Sequence, residues 1–194
     1  MLAQIRLLPL NKREFFYYNT TMDDWIRNNL CTRFSHFDGL TILDLGCGEG
    51  INSVGLAKLG AKVSAIDERT TMIEKTQNLA RKEEVKVVTK ISRIQDFQSN
   101  LKYDVVLFTY VLHFIPTESQ NYVIQKVLNS VKPEGTLVFA DLEDDFLISK
   151  ECLSILKNSL KKIKSENFLI KDEPHLGKNY PHQHKVFYLI GDKK

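Results

Sequence analysis

Short apolar runs recur along the chain, separated by segments whose apolar residues stand at helical intervals. Nearly continuous apolar runs predict strands that are buried on both faces of a parallel sheet. Strands that alternate with amphipathic helices predict an α/β fold with helices on both faces of the sheet. The predicted strands are 42–45, 61–66, 85–91, 103–109, 136–140, 168–173 and 185–190, and the predicted helices are 22–30, 54–59, 71–83, 118–131 and 149–163.

The 194 residues of the chain are enough for one domain with a sizeable core. Residues 1–40 precede the first predicted strand and contain the predicted helix 22–30. We interpret them as an N-terminal helical cap. Residues 41–194 are predicted to form a single compact unit.

A glycine-rich stretch, Asp-Leu-Gly-Cys-Gly-Glu-Gly at 44–50, joins the first predicted strand to a helix. Glycine lets the backbone turn sharply and approach a ligand closely. A loop of this kind between a buried strand and a helix suits the polar end of a nucleoside cofactor. A structural turn needs only one glycine with positive φ, whereas this loop has Gly46, Gly48 and Gly50. We therefore predict a cofactor site at this loop.

The glycine spacing and Asp44 distinguish this loop from a dinucleotide-binding loop. The dinucleotide pattern is G-x-G-x-x-G, whereas the three glycines here stand at every second position after Asp44. Asp44 would repel a pyrophosphate but suits a ligand that carries an ammonium group. Asp67 ends the second predicted strand. An acid about twenty residues past the loop can bind both hydroxyls of a ribose.

The 44–50 motif, together with Asp67, resembles the first motif of the class I S-adenosylmethionine-dependent methyltransferases. The resemblance implies a Rossmann-like fold with a mostly parallel seven-stranded sheet in the order 3-2-1-4-5-7-6, in which the C-terminal hairpin supplies an antiparallel strand. It also implies an enzyme with S-adenosyl-L-methionine as its cofactor. The residues that the resemblance assigns to the cofactor are Asp44, Gly46, Cys47, Gly48, Gly50, Asp67, Glu68, Met72, Arg93, Ile94, Thr109 and Tyr110.

The chain departs from the class pattern after the third predicted strand. Many relatives carry an acid there that contacts the adenine amino group, whereas this chain has Ser92 and Arg93. We expect the backbone around Arg93 and Ile94 to make that contact, or the side chain of Asp96 to reach back to it.

Within the class, residues 41–194 are similar to the compact tellurite-resistance (TehB-like) methyltransferases. The similarity rests on the 44–50 motif followed by Asn52 and Ser53, on the lack of inserted domains, and on His175 near the end of the sixth strand. It implies transfer of a methyl group to a small, soft nucleophile such as a metalloid oxyanion.

Three of the five histidines, His175, His182 and His184, stand within ten residues. One interpretation is a catalytic or oxyanion-binding site, because in this family the loop after the sixth strand curls over the methyl group. Relatives often carry an arginine beside the histidine that matches His175, where this chain has Leu176. The other interpretations are a solvated loop, or a metal site, since His182 and His184 alternate like ligands on a strand. We predict the catalytic role for all three and no metal site. His113, on an apolar segment, could face the adenine or fill space in the core, and we interpret it as a packing residue.

Charge and cysteine usage restrict the partners. A net charge of +3 without a clustered basic patch does not indicate nucleic acid. The C-terminal lysines are interpreted as the solvated face of the last predicted helix; they are Lys157, Lys161, Lys162 and Lys164.

The three cysteines are far apart, which favours a reducing cytoplasm over a disulfide framework. No apolar run approaches membrane-spanning length. We expect a cytoplasmic protein with a small-molecule substrate.

Three other functions are compatible with a cofactor loop. They are a methyltransferase for a different small-molecule or protein acceptor, a non-catalytic cofactor-binding module, and a nicotinamide oxidoreductase, which the glycine spacing disfavours. Methyl transfer from a sulfonium mainly requires that donor and acceptor are held in line and that water is excluded. An oxygen or nitrogen acceptor also needs a general base, for which His175 is the candidate.

Overall fold

The computed structural model describes residues 22–98, 100–142, 148–172 and 182–194, with the backbone alone at 169–172 and 182–184. The strands in this part of the chain are β1 (Thr41–Leu45), β2 (Lys62–Asp67), β3 (Val87–Ile91), β4 (Tyr103–Thr109), β5 (Val131–Leu142), β6 (Leu160–Asp172) and β7 (His182–Lys193). The α-helices are α1 (Asp24–Arg33), α2 (Ile51–Lys58), α3 (Thr70–Lys82), α4 (Thr117–Ser130) and α5 (Lys150–Ser159), and a short 3₁₀-helix covers Leu112–Phe114. None of these described helices is long and apolar enough to cross a bilayer.

The strands form one sheet in the order β3-β2-β1-β4-β5-β7-β6. The first five strands pair in parallel, and β7 runs antiparallel to both β5 and β6. The fold and the strand order expected from the sequence are thereby confirmed. The division into a cap at 1–40 and a domain at 41–194 stays a prediction.

Both faces of the sheet are covered by helices. Phe108 enters the apolar cluster on the side of α4 and α5, and its neighbour Leu107 enters the cluster on the side of α1 and α2. Both side chains are fully buried, as the alternation of a central parallel strand requires. Helix α1 contributes Trp25, Ile26 and Leu30 to the second cluster, so it packs directly on the sheet.

The parallel strands place their carboxyl ends along one edge of the sheet. Leu45, Asp67, Thr109 and Leu142 are the last residues of β1, β2, β4 and β5. In open α/β sheets the loops at this edge form the ligand site. The chain reverses strand order between β1 and β4 at the same edge, which is where a cofactor is expected.

The prediction of a helix through Ile163 was wrong, because α5 ends at Ser159 and β6 begins at Leu160. Leu160 is 1 % exposed and pairs with Lys193, so burial and strand pairing override the helical spacing of this segment. The lysines at 161, 162 and 164 therefore lie on β6 rather than on a helix face.

Strand β5 is longer than the predicted 136–140, because α4 ends at Ser130 and Val131 already pairs with Tyr103. The register with β4 then shifts, so that Thr136 pairs with Val105. The Lys-Pro-Glu-Gly segment between them is an irregularity, in which Glu134 has φ 62°. Other predicted bounds moved by a few residues, such as the start of β3 at Val87.

Candidate functional site

A cleft of about 470 Å³ opens at the carboxyl edge of the sheet. Its walls come from the loops that follow β1, β2, β3 and β4. Six of the residues predicted to contact the cofactor line it, namely Gly46, Asp67, Glu68, Arg93, Ile94 and Tyr110. The other six do not line it, namely Asp44, Cys47, Gly48, Gly50, Met72 and Thr109. The binding roles of all twelve stay predictions.

The loop after β1 begins with a close packing contact. Gly46 has φ 75°, and a Cβ there would stand 2.3 Å from Cγ2 of Val111. The backbone N–H groups of Gly46 and Cys47 both donate to the carbonyl oxygen of Ile66, at 2.7 and 2.9 Å. Only glycine combines this backbone conformation with this approach, so the loop after β1 is held against the loop after β4 and the end of β2.

Gly48 differs from Gly46 in having open space beside it. Its φ is 54°, and no atom lies within 4 Å of the place where a Cβ would stand. Its N–H donates to Oδ2 of Asp67 at 3.0 Å. The loop backbone therefore faces a space at the end of β2 that a bound group can enter.

Asp67 is the acid that the cleft presents at the end of β2. The residue is 5 % exposed, and Oδ1 accepts the N–H of Arg69 at 2.9 Å. Together with the bond from Gly48 and a long bond from Nε of Arg69 at 3.4 Å, this uses three of the roughly four lone-pair positions of a carboxylate, and the exposed side chain of Arg69 can move away from the third. Asp67 can therefore still accept hydrogen bonds from vicinal hydroxyls such as those of a ribose.

Asp44 lies behind the loop rather than on the wall of the cleft. It is 2 % exposed and accepts a hydrogen bond from Oγ of Ser53 at 2.6 Å. Burial raises the pKa of Asp44 to about 6, the bond from Ser53 opposes this, and the charge of Asp67 adds to it. Burial and the charge of Asp44 also raise the pKa of the Cys47 thiol, so that thiol is not a ready nucleophile.

The loop after β3 supplies the far wall of the cleft through Ser92–Gln95. Nε of Arg93 lies 3.8 Å from Oε2 of Glu68, and both side chains are more than half exposed. Ile94 is 7 % exposed and packs into the core beneath them. Asp96, the alternative adenine contact, is exposed and does not line the cleft.

Tyr110 follows β4 in a conformation that is unusual for its type. Its φ is 59°, and its N–H donates to the carbonyl oxygen of Ala140 at 2.7 Å. A non-glycine residue in this region stores about 1–3 kcal/mol of strain and is typical of functional sites. The strained backbone turns Tyr110 into the wall of the cleft.

Asp141 holds the turn after β4 in place, and sequence analysis did not identify it. Its buried carboxylate accepts the N–H groups of Val111 and Leu112 at 3.1 and 2.7 Å. It also lies 2.5 Å from Nδ1 of His113. His113 is therefore a polar partner of Asp141, and its ring also lies 4.0 Å from that of Phe114 between centroids. The sequence signal is an acid near the end of an apolar strand.

A second unpredicted group of polar residues meets the cleft at Tyr110. The hydroxyl of Tyr110 is hydrogen-bonded to that of Tyr188 on β7. Oη of Tyr188 in turn donates to Oδ2 of Asp23, the N-cap of α1, at 2.7 Å. No sequence pattern connects these residues, because Asp23 and Tyr188 are 165 positions apart.

The predicted catalytic histidines are not brought to the cleft by any described contact. His175 lies outside the described residues. His182 and His184 begin β7, where their backbones pair with Asp172 and Ile170, but their side chains are outside the described part. Their catalytic roles stay predictions. In the part of the chain that is described, no three His, Cys, Asp or Glu side chains are grouped to hold a metal ion.

Comparison with known families gives one match over most of the chain. The family model described as "Methyltransferase domain" matches residues 36–190. Among curated proteins, a ubiquinone biosynthesis O-methyltransferase of Rickettsia felis is 30 % identical over 119 residues, which are 61 % of this chain and 48 % of that protein. The chain thus spans about half the length of such relatives.

Solved structures share the fold at lower sequence identity. TehB from Haemophilus influenzae superposes with a TM-score of 0.75 at 20 % identity, covering 91 % of this chain and 64 % of that one. The magnesium protoporphyrin IX methyltransferase of Synechocystis, solved with bound S-adenosylmethionine, gives a TM-score of 0.67 at 20 % identity, covering 87 % and 77 %. At these identities the superpositions show the common fold.

Proposed function

We propose that this chain, which belongs to the methyltransferase domain family, is an enzyme that uses S-adenosylmethionine as its cofactor and methylates a hydroxyl group of a small organic molecule. The observation that carries this proposal is the cleft that runs from Asp67 to Tyr110 beside the glycine loop. In this proposal Asp67 binds the ribose of the cofactor, and Tyr110 contacts the methyl acceptor.

The residues of the cleft fit the cofactor. The space beside Gly48, where a Cβ would meet no atom within 4 Å, leaves the loop backbone open to a ligand. Asp67 offers a carboxylate for the ribose hydroxyls. Glu68, Arg93 and Ile94 would hold the adenine end, and Asp44 would supply a negative field for the ammonium and sulfonium charges from behind the loop.

The assignment of a hydroxyl acceptor rests on two supports. The curated relatives named above are O-methyltransferases by name, so an oxygen nucleophile is the first class to test. Tyr110 lines the cleft, and a tyrosine hydroxyl can form a hydrogen bond with an acceptor hydroxyl. The cysteine pattern favours a reducing compartment, and the cytoplasm is part of the proposal.

The cofactor and the protein contribute different parts of the methyl-transfer reaction. Bound S-adenosylmethionine supplies an activated methyl group. The protein holds the acceptor in line with that group and excludes water from the cleft. A hydroxyl acceptor also has to lose its proton, so a base or a proton path is required near the acceptor.

A transfer assay with defined acceptors tests the proposal. The purified protein is incubated with trideuteromethyl-labelled S-adenosylmethionine and, separately, with catechol, benzenethiol, benzylamine, selenite or tellurite, and labelled products are identified by mass spectrometry. We expect labelled guaiacol from catechol. Labelled product from none of the acceptors would contradict the proposed function.

A soft-nucleophile acceptor, such as a metalloid oxyanion, is the second candidate. It is favoured by the sequence similarity to the TehB-like family and by the histidines at 175, 182 and 184. Labelled product from selenite or tellurite, with none from catechol, would establish it instead of the hydroxyl acceptor.

A further inference from the structure

We propose that Tyr110, Tyr188 and Asp23 form a proton path that takes the proton of a hydroxyl acceptor from the cleft to the carboxylate of Asp23. The inference rests on the proposed function, because it concerns the acceptor of that same reaction. The base in this path is Asp23, the N-cap residue of α1, which precedes the first strand of the sheet.

The direction of the two hydrogen bonds follows from the number of protons available. Oη of Tyr188 donates its only proton to Oδ2 of Asp23, at 2.7 Å. The hydroxyl of Tyr188 can therefore only accept from Tyr110, so Tyr110 donates its own proton inward. Tyr110 lines the cleft, and in the proposed path its oxygen accepts the hydrogen bond of a bound hydroxyl.

Packing holds this path in one geometry. Tyr188 is 1 % exposed, with the ring of Trp25 at 4.9 Å between centroids and that of Phe168 edge-on at 5.3 Å. The ring of Tyr110 meets Tyr188 edge-on at 6.2 Å. Because no rotation is needed to align the hydroxyls, a proton can move along them without rearrangement of the protein.

The surroundings of Asp23 suit a base. The backbone N–H of Ile26 donates to Oδ1 at 3.1 Å, and the N–H of Asp23 is bonded to the side chain of Asn52 on α2. Burial raises the pKa of Asp23, opposed by the bonds from Ile26, Tyr188 and Trp25, and the neighbouring charge of Asp24 adds to the rise. A raised pKa strengthens the carboxylate as a proton acceptor.

The proposed step balances in atoms and charge. The acceptor oxygen forms a bond to the methyl carbon while the bond from carbon to sulfur breaks, and sulfur keeps the electron pair. The acceptor proton passes to Oη of Tyr110, the proton of Tyr110 passes to Tyr188, and that of Tyr188 passes to Asp23. The positive charge of the sulfonium and the negative charge of Asp23 are both neutralised, and Asp23 later releases its proton to water.

Two phenols that differ in acidity separate this role from a structural one. Catechol must lose its proton during the reaction, whereas 4-nitrocatechol is largely ionised before the reaction at about pH 8. For Tyr188→Phe and Asp23→Asn we expect kcat with catechol to fall about a hundredfold and kcat with 4-nitrocatechol to change about threefold or less. Glu74→Gln, which alters an exposed carboxylate of α3, is the matched control and should keep both rates.

Measurements without turnover accompany the rates. Calorimetry should give affinities for S-adenosylmethionine within about twofold of wild type for each variant, which shows that the cofactor site is intact. The spectrum of 4-nitrocatechol bound beside S-adenosylhomocysteine reports its ionisation directly. Its apparent pKa in the wild-type complex should lie above that in the Asp23→Asn complex, because the negative charge of Asp23 disfavours a second anion at the other end of the path and asparagine removes that charge.

The proposal is overturned if both phenols lose rate equally, or if Tyr188→Phe and Asp23→Asn leave the catechol rate intact while the wild type is active. A wild type without activity on any acceptor would instead overturn the proposed function, and the path with it.

Discussion

The N–H of Gly48 donates to Oδ2 of Asp67 at 3.0 Å, which ties the glycine loop after β1 to the acid at the end of β2. Two sequence features that lie 19 positions apart thus form one structural unit. The bond fixes one oxygen of Asp67 and leaves the carboxylate at the wall of the cleft, where a ribose can reach it.

Replacement of Asp67 should therefore weaken cofactor binding. For Asp67→Ala we expect the Kd for S-adenosylmethionine, measured by calorimetry, to rise about ten- to a hundredfold, the equivalent of about 1–3 kcal/mol of charge-assisted hydrogen bonds. Glu74→Ala, at an exposed position of α3, is the control. An unchanged Kd in the Asp67 variant would mean that the ribose is held elsewhere.

Replacement of Gly46 should separate backbone strain from steric overlap. Gly46→Ala and Gly39→Ala both place a side chain at positive φ, 75° and 83°, at a cost of about 1–2 kcal/mol. Only the Cβ at position 46 overlaps another side chain, that of Val111. Urea unfolding should show a larger loss for Gly46→Ala, and only this variant should lose cofactor affinity. Equal losses in the two variants would mean that the contact with Val111 is unimportant.

The buried carboxyl of Asp44 should make stability depend on pH. Its pKa in the folded protein, about 6, exceeds the usual 3.8, so the folded state binds more protons than the unfolded state between these values. The free energy of unfolding of the wild type should therefore fall, relative to Asp44→Asn, by about 3 kcal/mol as pH rises through this window.

Urea unfolding of both proteins at about pH 4 and about pH 7 measures this difference. The Asp24→Asn variant, in which the carboxyl is exposed, should run parallel to the wild type. If the curves of Asp44→Asn and the wild type are also parallel, Asp44 does not carry the raised pKa.

His175 remains the sequence-based candidate for catalysis. We expect His175→Ala to lower turnover about ten- to a thousandfold with little change in cofactor affinity. A base would lose activity as pH falls below a pKa near 6.5, whereas a cation that holds an oxyanion would lose it as pH rises above that value. His36→Ala, an exposed histidine before β1, is the control. Unchanged turnover for His175→Ala would indicate a solvated loop.

The sequence predicted the features that depend on local patterns. Apolar runs predicted the parallel strands, and the 44–50 motif with Asp67 predicted the family, and both are confirmed. The predicted end of α5 was wrong, because the pairing of Leu160 with Lys193 ends the helix before residue 160. Such pairing between distant segments leaves no periodic signal in the sequence. The contact between Asp23 and Tyr188 could not be predicted for the same reason, since it joins two distant segments through side chains alone.

The central claim is that the glycine loop and Asp67 form a site for S-adenosylmethionine rather than for a dinucleotide. Calorimetric titration of the purified wild-type protein with S-adenosylmethionine and, in parallel, with NAD tests it most directly. We predict micromolar affinity for S-adenosylmethionine, about 8 kcal/mol of binding free energy, and hardly any binding of NAD. Tight binding of NAD without binding of S-adenosylmethionine would contradict the account.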